Sequence, residues 1–323
     1  MTTIQIRTAA VIGTGMMGPG IAATLALGGV DSTILSRTDE GAARGLESAR
    51  SQLRLLGEHG ITEPDRVDWA LEHISVSTDL DAAVRDVDLV IESAPEKMAF
   101  KQDLFAKLDK LSRPDAVLAS NTSGLSITSI ASRCSRPERV LTTHYWNPPH
   151  LMPLVEIVKG QKTLDGIAQA VRQLLLNCGK VPVIVKRDTP GQLGNRLQMA
   201  LVREAIHIVE EGIADVEDVD LVSKNGFGLR LPVYGIFEHQ DAVGLDMALS
   251  ILDYVSQDLC SRPEAPELMR RLVRDGNLGP KTGRGFYDWS TKSIEEVMAP
   301  RDAFALEFLK SRKRQKASEA SGT

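Results

Sequence analysis

The 323-residue chain reads as an α/β protein, with a doubly wound, mostly parallel sheet over residues 1–187 and an all-α domain over 188–300. Three observations predict this. Short β-branched runs alternate with helical patterns from Arg7 to Val185, as parallel strands joined by helices require. The first run passes directly into a glycine-rich turn and a helical stretch. After Lys186 the strand-like runs stop, and apolar residues recur at near-helical spacing, as in Leu193, Leu197, Leu201 and Ile208.

In chain order the strand-like runs are TAAVIG, STILS, ISVS, VDLVIES, AVLAS, RVLTTH, LVEIV and VPVIV. The first leads into VIGTGMMGPGIAATLALGG, which places Gly13, Gly15 and Gly18 as GxGxxG at a strand-to-helix junction. The first glycine permits the tight turn, the second lets the backbone approach a pyrophosphate, and the third lets the helix pack on the strand. Met16 and Met17 lie between them, where free N–H groups of a helix N-terminus face an anion. The pattern predicts a Rossmann-type domain binding a nicotinamide dinucleotide. At the end of the second run, where an acid would hold the ribose hydroxyls of NAD, stand Ser36 and Arg37; a hydroxyl beside a guanidinium suits a 2′-phosphate and leans towards NADP. Asp39 nearby leaves an NAD site open. The stretch Thr38–Leu71 suggests two helices broken at GEHGITEPD, an insertion able to reach a substrate.

The loop between RVLTTH and LVEIV is too short for a parallel crossover, so these strands are expected to be antiparallel. If the hairpin is symmetric about His150, opposed residue numbers sum to 300 and His144 faces Glu156. A carboxylate on an imidazole fixes its tautomer and stabilises its protonated form, as a proton-accepting base requires. Ser123, after the fifth run, and Asn195, early in the second domain, are expected to converge on the same cleft. Thr189 is expected to cap the helix there, with Pro190 in its first turn and Gly212 past its end.

Composition excludes several other classes. A net charge of −5 supplies no basic footprint for nucleic acid. Cys134, Cys178 and Cys260 form no CxxC pair and no metal cluster, which favours a reducing, cytoplasmic setting. No apolar run approaches the ~18 residues of a membrane span, and the N-terminus lacks a signal-peptide pattern. The final segment, 301–323, is expected to be a partly disordered extension, since SRKRQKASEASGT lacks apolar residues.

From about Arg7 to Trp289 the chain resembles the 3-hydroxyacyl-CoA dehydrogenase family, through GTGMMG, SNTSGL, HYWNPPHLMPLVE, GQLGNR and GPKTGRGFYDW. The resemblance implies a general base at His144, its orienting carboxylate at Glu156, a substrate-polarising hydroxyl at Ser123, and active-site asparagines at Asn147 and Asn195. It places nicotinamide-site contacts at Glu96, Lys101 and Lys281, and implies a homodimer through the helical domain, where LRLPVYGIF and GLDMALSILDYV carry more apolar positions than one helix face needs. No metal is implied. The expected reaction is reversible oxidation of a β-hydroxy group, foremost of a 3-hydroxyacyl-CoA. Gln192 stands where the family has an aromatic, and the insertion holds Arg50 and Arg54 in place of lysines. Those departures, with similarity to the branch containing λ-crystallin-like gulonate dehydrogenases and carnitine dehydrogenases, make a small unactivated hydroxy compound the alternative substrate. A non-catalytic, crystallin-like binding protein is the remaining alternative.

Overall fold

The structure is a computed structural model that describes residues 5–321. Its first unit alternates β1 (Thr8–Ile12), α1 (Gly18–Leu27), β2 (Asp31–Leu35), α2 (Asp39–Glu58), α3 (Pro64–Glu72), β3 (Ile74–Ser77), α4 (Leu80–Arg85), β4 (Leu89–Glu92), α5 (Met98–Leu111), β5 (Val117–Ser120) and α6 (Ile127–Ile130). The hairpin of β6 (Val140–Tyr145) and β7 (Leu154–Lys159) follows, then α7 (Asp165–Asn177) and β8 (Val181–Val185). These strands form one sheet in the order β3-β2-β1-β4-β5-β6-β7-β8. Neighbours are parallel except β6 and β7, so the last two strands run against the other six.

Alternate residues of each central strand enter opposite cores. Ala9, Val11, Leu89 and Ile91 pack with α1 residues Ile21 and Leu25, whereas Ala10, Val90 and Leu118 pack with Phe105 and Leu108 of α5. Both faces are thereby buried, which is why the strands read as continuous apolar runs without polar alternation. The order reverses direction at β1 and β4, and the carboxyl ends of these strands open the crevice in which such sheets bind ligands. Helices α2 and α3 are the two predicted in the insertion, and Thr38 caps α2 by accepting the N–H of Gly41 at 3.1 Å.

The second unit, Arg196–Ala299, holds most of α8 (Gly194–Glu210), then α9 (Val216–Asn225), α10 (Phe227–Arg230), α11 (Ile236–Val243), α12 (Leu245–Val255) and α13 (Glu267–Arg274). Its apolar residues Val233, Phe237 and Tyr254 are each more than four-fifths exposed.

Two boundaries differ from the sequence expectation. Helix α8 begins at Gly194, and Thr189 does not cap it: Gly191 and Gln192 take φ of 74° and 54°, which breaks the helix before it starts. Residues up to Asn195 group with the sheet, as do the described residues from Pro300 onward. The C-terminal segment, expected to be partly disordered, forms helix α14 (Ile294–Ser321). Its Leu306 is buried against Leu56 and Leu151, and Lys313 donates to the Gly60 carbonyl at 3.0 Å and to Glu63 at 2.6 Å. The apolar Ala305, Leu306 and Leu309 lie just upstream of the polar stretch on which the disorder expectation rested, and they anchor the helix.

Candidate active site

The register of β6 on β7 pairs His144 with Glu156, the numbers summing to 300 as the hairpin length predicts. Their side chains meet: His144 Nδ1 lies 2.8 Å from Glu156 Oε2, with both residues buried. An ionised carboxylate only accepts, so Nδ1 carries the proton and Nε2 is left as the basic nitrogen. Nε2 has no partner among the described residues. Burial acts to raise the Glu156 pKa, but hydrogen bonds from His144, from the backbone of Gly194 and Leu193, and from Trp146 outweigh it and hold the carboxyl below its usual range.

The same carboxylate organises the start of α8. Glu156 Oε1 accepts the N–H groups of Leu193 and Gly194, each at 2.9 Å, which accounts for the late start of that helix: its N-terminal donors are capped from β7. Asn195 follows immediately, and its Nδ2 donates to the Ser123 carbonyl at 2.8 Å. Gln192, buried despite its amide, donates to the Thr122 carbonyl at 2.8 Å. Where the family has an aromatic, this chain therefore ties the 189–194 turn to the loop after β5 by a polar clasp. Asn121 completes the arrangement by accepting the Tyr145 N–H at 2.9 Å. His144, Glu156, Ser123 and Asn195 are thus brought together by one contiguous network, while Asn147 is exposed in the hairpin loop and bonds to none of them.

Glu96 holds the Ser123 loop from the other side. Its Oε1 accepts from the Thr122 hydroxyl, from the Ser123 N–H at 3.1 Å and from the Gly124 N–H at 3.3 Å. Lys101 behaves differently from a surface cofactor contact: its side chain is 1% exposed, and its ammonium lies 2.6 Å from Glu92 and 3.4 Å from Glu96. It reaches the site through Glu96. Glu92 itself was not singled out from sequence, and only its place at the end of a buried strand beside a lysine nine residues on marked it. Trp146 was also missed. Its Nε1 donates to Glu156 Oε2 at 3.2 Å.

The glycine-rich turn fits a dinucleotide. Gly13 has φ of 119°, and a Cβ there would sit 2.4 Å from the Ser93 carbonyl oxygen. A Cβ on Gly18 would lie 1.8 Å from the Gly13 oxygen, whereas one on Gly15 meets nothing within 4 Å. The open approach lies at Gly15 and the exposed Met16, and no side chain caps the start of α1 at Met17, as an anion-binding helix N-terminus requires. At the end of β2, Ser36 is buried and accepts the Thr38 N–H at 3.3 Å, while Arg37 is exposed and without a hydrogen bond or ion pair among the described residues. Lys281 belongs to the second unit, where it lines a cavity of about 520 Å³ with Val202, Val219, Met269 and Phe286. Among the described residues, no group of His, Cys, Asp or Glu is arranged to hold a metal ion.

Residues 8–189 match the family profile described as 3-hydroxyacyl-CoA dehydrogenase, NAD binding domain, and residues 191–289 match the profile of its C-terminal domain. A 5-formyl-3-hydroxy-2-methylpyridine 4-carboxylate 5-dehydrogenase of Mesorhizobium japonicum is 35% identical over 302 residues, which cover 92% of this chain and 95% of that protein. A probable 3-hydroxybutyryl-CoA dehydrogenase of Bacillus subtilis is 38% identical over 291 residues, 90% of this chain and 100% of that one. Among solved structures, a 5-formyl-3-hydroxy-2-methylpyridine 4-carboxylic acid 5-dehydrogenase, described as an NAD+-dependent dismutase, superposes with a TM-score of 0.87 at 32% identity, covering 97% of this chain and 99% of that one. The (S)-3-hydroxybutyryl-CoA dehydrogenase of Ralstonia eutropha gives 0.73 at 33% identity, over 88% of this chain and 99% of that one.

Proposed function

The chain belongs to the 3-hydroxyacyl-CoA dehydrogenase family and is a nicotinamide-dependent dehydrogenase acting on a CH–OH group; from that premise we propose that His144 is the base and Glu156 its orienting carboxylate. The observation that carries this is the division of the imidazole: Nδ1 is committed to Glu156 at 2.8 Å, and Nε2, with no partner among the described residues, is left for the substrate hydroxyl. In the oxidising direction Nε2 takes the hydroxyl proton while the carbonyl forms, and Glu156 stabilises the resulting imidazolium. The nicotinamide ring, when bound, supplies the hydride acceptor. The Ser123 hydroxyl and Asn195 hold the substrate oxygen as its charge changes. Glu96, tied to the Ser123 loop, and the turn at Gly13, Gly15 and Gly18 position the cofactor.

A hydroxyl β to a thioester carbonyl, as in a 3-hydroxyacyl-CoA, is the substrate that most relatives suggest, with Arg50 and Arg54 on α2 as the cations for its phosphates. A second reading, a small free hydroxy compound, is favoured by the likeness to the pyridine-carboxylate dehydrogenase, whose solved structure superposes with a TM-score of 0.87 against 0.73 for the 3-hydroxybutyryl-CoA enzyme. Reduction of acetoacetyl-CoA set beside oxidation of free 3-hydroxybutyrate, gulonate and carnitine separates the two. Turnover of the thioester alone supports the first reading; turnover of free compounds alone supports the second. Cofactor binding without turnover of any hydroxy or keto substrate would sink the dehydrogenase and favour a binding protein.

Arg37 at the strand end, exposed and without a hydrogen bond or ion pair among the described residues, supports NADP(H) over NAD(H) at a modest ratio. The exposed apolar residues of α11 and α12 support a homodimer through the second unit, checked by light scattering, with a monomer at micromolar concentration rejecting it. Burial pushes the thiols of Cys134 and Cys178 up to about 11 and about 12, so both stay protonated and unreactive, and together with the absence of disulfides this suits the cytoplasm.

A further inference from the structure

The dyad has a third side chain on it. Trp146 follows β6 directly, and its indole turns back so that Nε1 donates to Glu156 Oε2 at 3.2 Å, the same oxygen that receives His144 Nδ1 at 2.8 Å. The imidazole and indole rings stand 5.7 Å apart at 51°. Gly194 makes room for this: a Cβ there would sit 2.5 Å from Trp146 Cζ2 and 3.3 Å from Glu156 Oε2. With Leu193 and Gly194 on Oε1, the buried carboxylate has two donors on each oxygen, which fills the roughly four acceptor sites it offers.

We propose that Trp146 is a positioning residue of this dyad: by sharing Oε2 with His144 it fixes the plane of the Glu156 carboxylate and limits how tightly that carboxylate holds the imidazole proton. The inference rests on the His144–Glu156 reading for its catalytic consequence, while its geometry stands apart from any substrate. Among the described residues no other charged group bonds to Glu156. On β6 the titratable partner of Glu156 is His144 itself; on β8 the register partner is Val183; and the start of α8 contributes only the backbone N–H groups of Leu193 and Gly194. A phenylalanine at 146 would fill much of the same space without the N–H. Oε2 would then concentrate its charge on His144 alone, so the imidazolium would gain stability and the base would become usable only at higher pH.

The test needs no substrate. In imidazole-resolved NMR titrations of the full chain, the midpoint of the His144 signal should move up by about 0.5–1 pH unit in Trp146→Phe, a change worth about 1.36 kcal/mol per unit. The same change made in a Glu156→Gln background should move it by less than about 0.2, because the effect passes through the carboxylate. An unchanged midpoint in Trp146→Phe, or an equal shift in both backgrounds, overturns the proposal. If Trp146→Phe fails to fold, the unaltered protein decides: the Trp146 Nε1–H should exchange slowly and shift as His144 titrates, and exchange at the rate of a free indole overturns it. Should the titrations behave as expected while His144→Gln leaves turnover intact, the catalytic reading fails and the positioning role survives.

Discussion

Lys101→Met separates two roles for a lysine that the family pattern places at the nicotinamide. In the structure its ammonium is 2.6 Å from Glu92 Oε1, with the two side chains 1% and 0% exposed. Removing the lysine leaves the buried Glu92 carboxylate without its countercharge, with the Ser120 hydroxyl at 2.6 Å and the Ala94 N–H at 2.6 Å as its remaining donors among the described residues. Breaking a buried pair in this way costs about 3–5 kcal/mol, because one charge remains uncompensated. At about 2–4 °C per kcal/mol for a domain of this size, the melting temperature should fall by about 6–20 °C. Urea unfolding gives the free energy directly, the midpoint falling at constant slope. The double change Glu92→Gln/Lys101→Met should recover much of the loss, since the charge goes with its partner. A single variant that loses less than about 1 kcal/mol while its cofactor KM rises about tenfold would refute the reasoning and return Lys101 to direct cofactor contact.

Gly18→Ala should fail to fold stably or lose several kcal/mol by urea unfolding, since its Cβ would lie 1.8 Å from backbone oxygen, whereas Gly15→Ala should keep its melting temperature and weaken cofactor binding measured by fluorescence. Arg37→Ala should lower the NADP-to-NAD ratio of kcat/KM by about ten- to a hundredfold, the worth of about 1.5–3 kcal/mol for a charged hydrogen bond; an unchanged ratio removes Arg37 from the cofactor site. Lys180 makes a pH prediction. Burial lowers its pKa from 10.5 to about 8, so the unfolded chain binds the extra proton between those values, and stability contributed by this group rises from pH 8 to 10.5 after being fully withheld below 8. Pairing each unfolding measurement with Lys180→Met isolates that rise from the thiols, which act oppositely above pH 9; parallel pH curves for the two proteins would contradict it.

The strands were legible because β-branched runs buried on both faces leave an unbroken apolar signature, and the His144–Glu156 register followed from hairpin length alone. The start of α8 was not legible. It depends on Glu156, 38 residues from Gly194 in sequence, capping the helix across the sheet, and Thr189 looked locally like the better cap. Lys101 and Glu92 were obscured for a similar reason: spacing cannot say whether a lysine at the start of a helix faces solvent or a buried acid. The fate of the C-terminal segment turned on Leu306 meeting Leu56 and Leu151, contacts between parts of the chain far apart in sequence. What sequence missed are long-range polar and packing contacts; what it found are periodicities and turn chemistry.

In the proposed reaction a proton leaves the substrate hydroxyl for His144 Nε2. The direct measurement is single-turnover oxidation by His144→Gln, followed through formation of the reduced nicotinamide, with cofactor affinity determined on the same sample. The rate should fall by about 10²–10⁴-fold with cofactor affinity within about twofold of the unaltered protein. A rate that is unchanged, in a variant that binds cofactor normally, would contradict it.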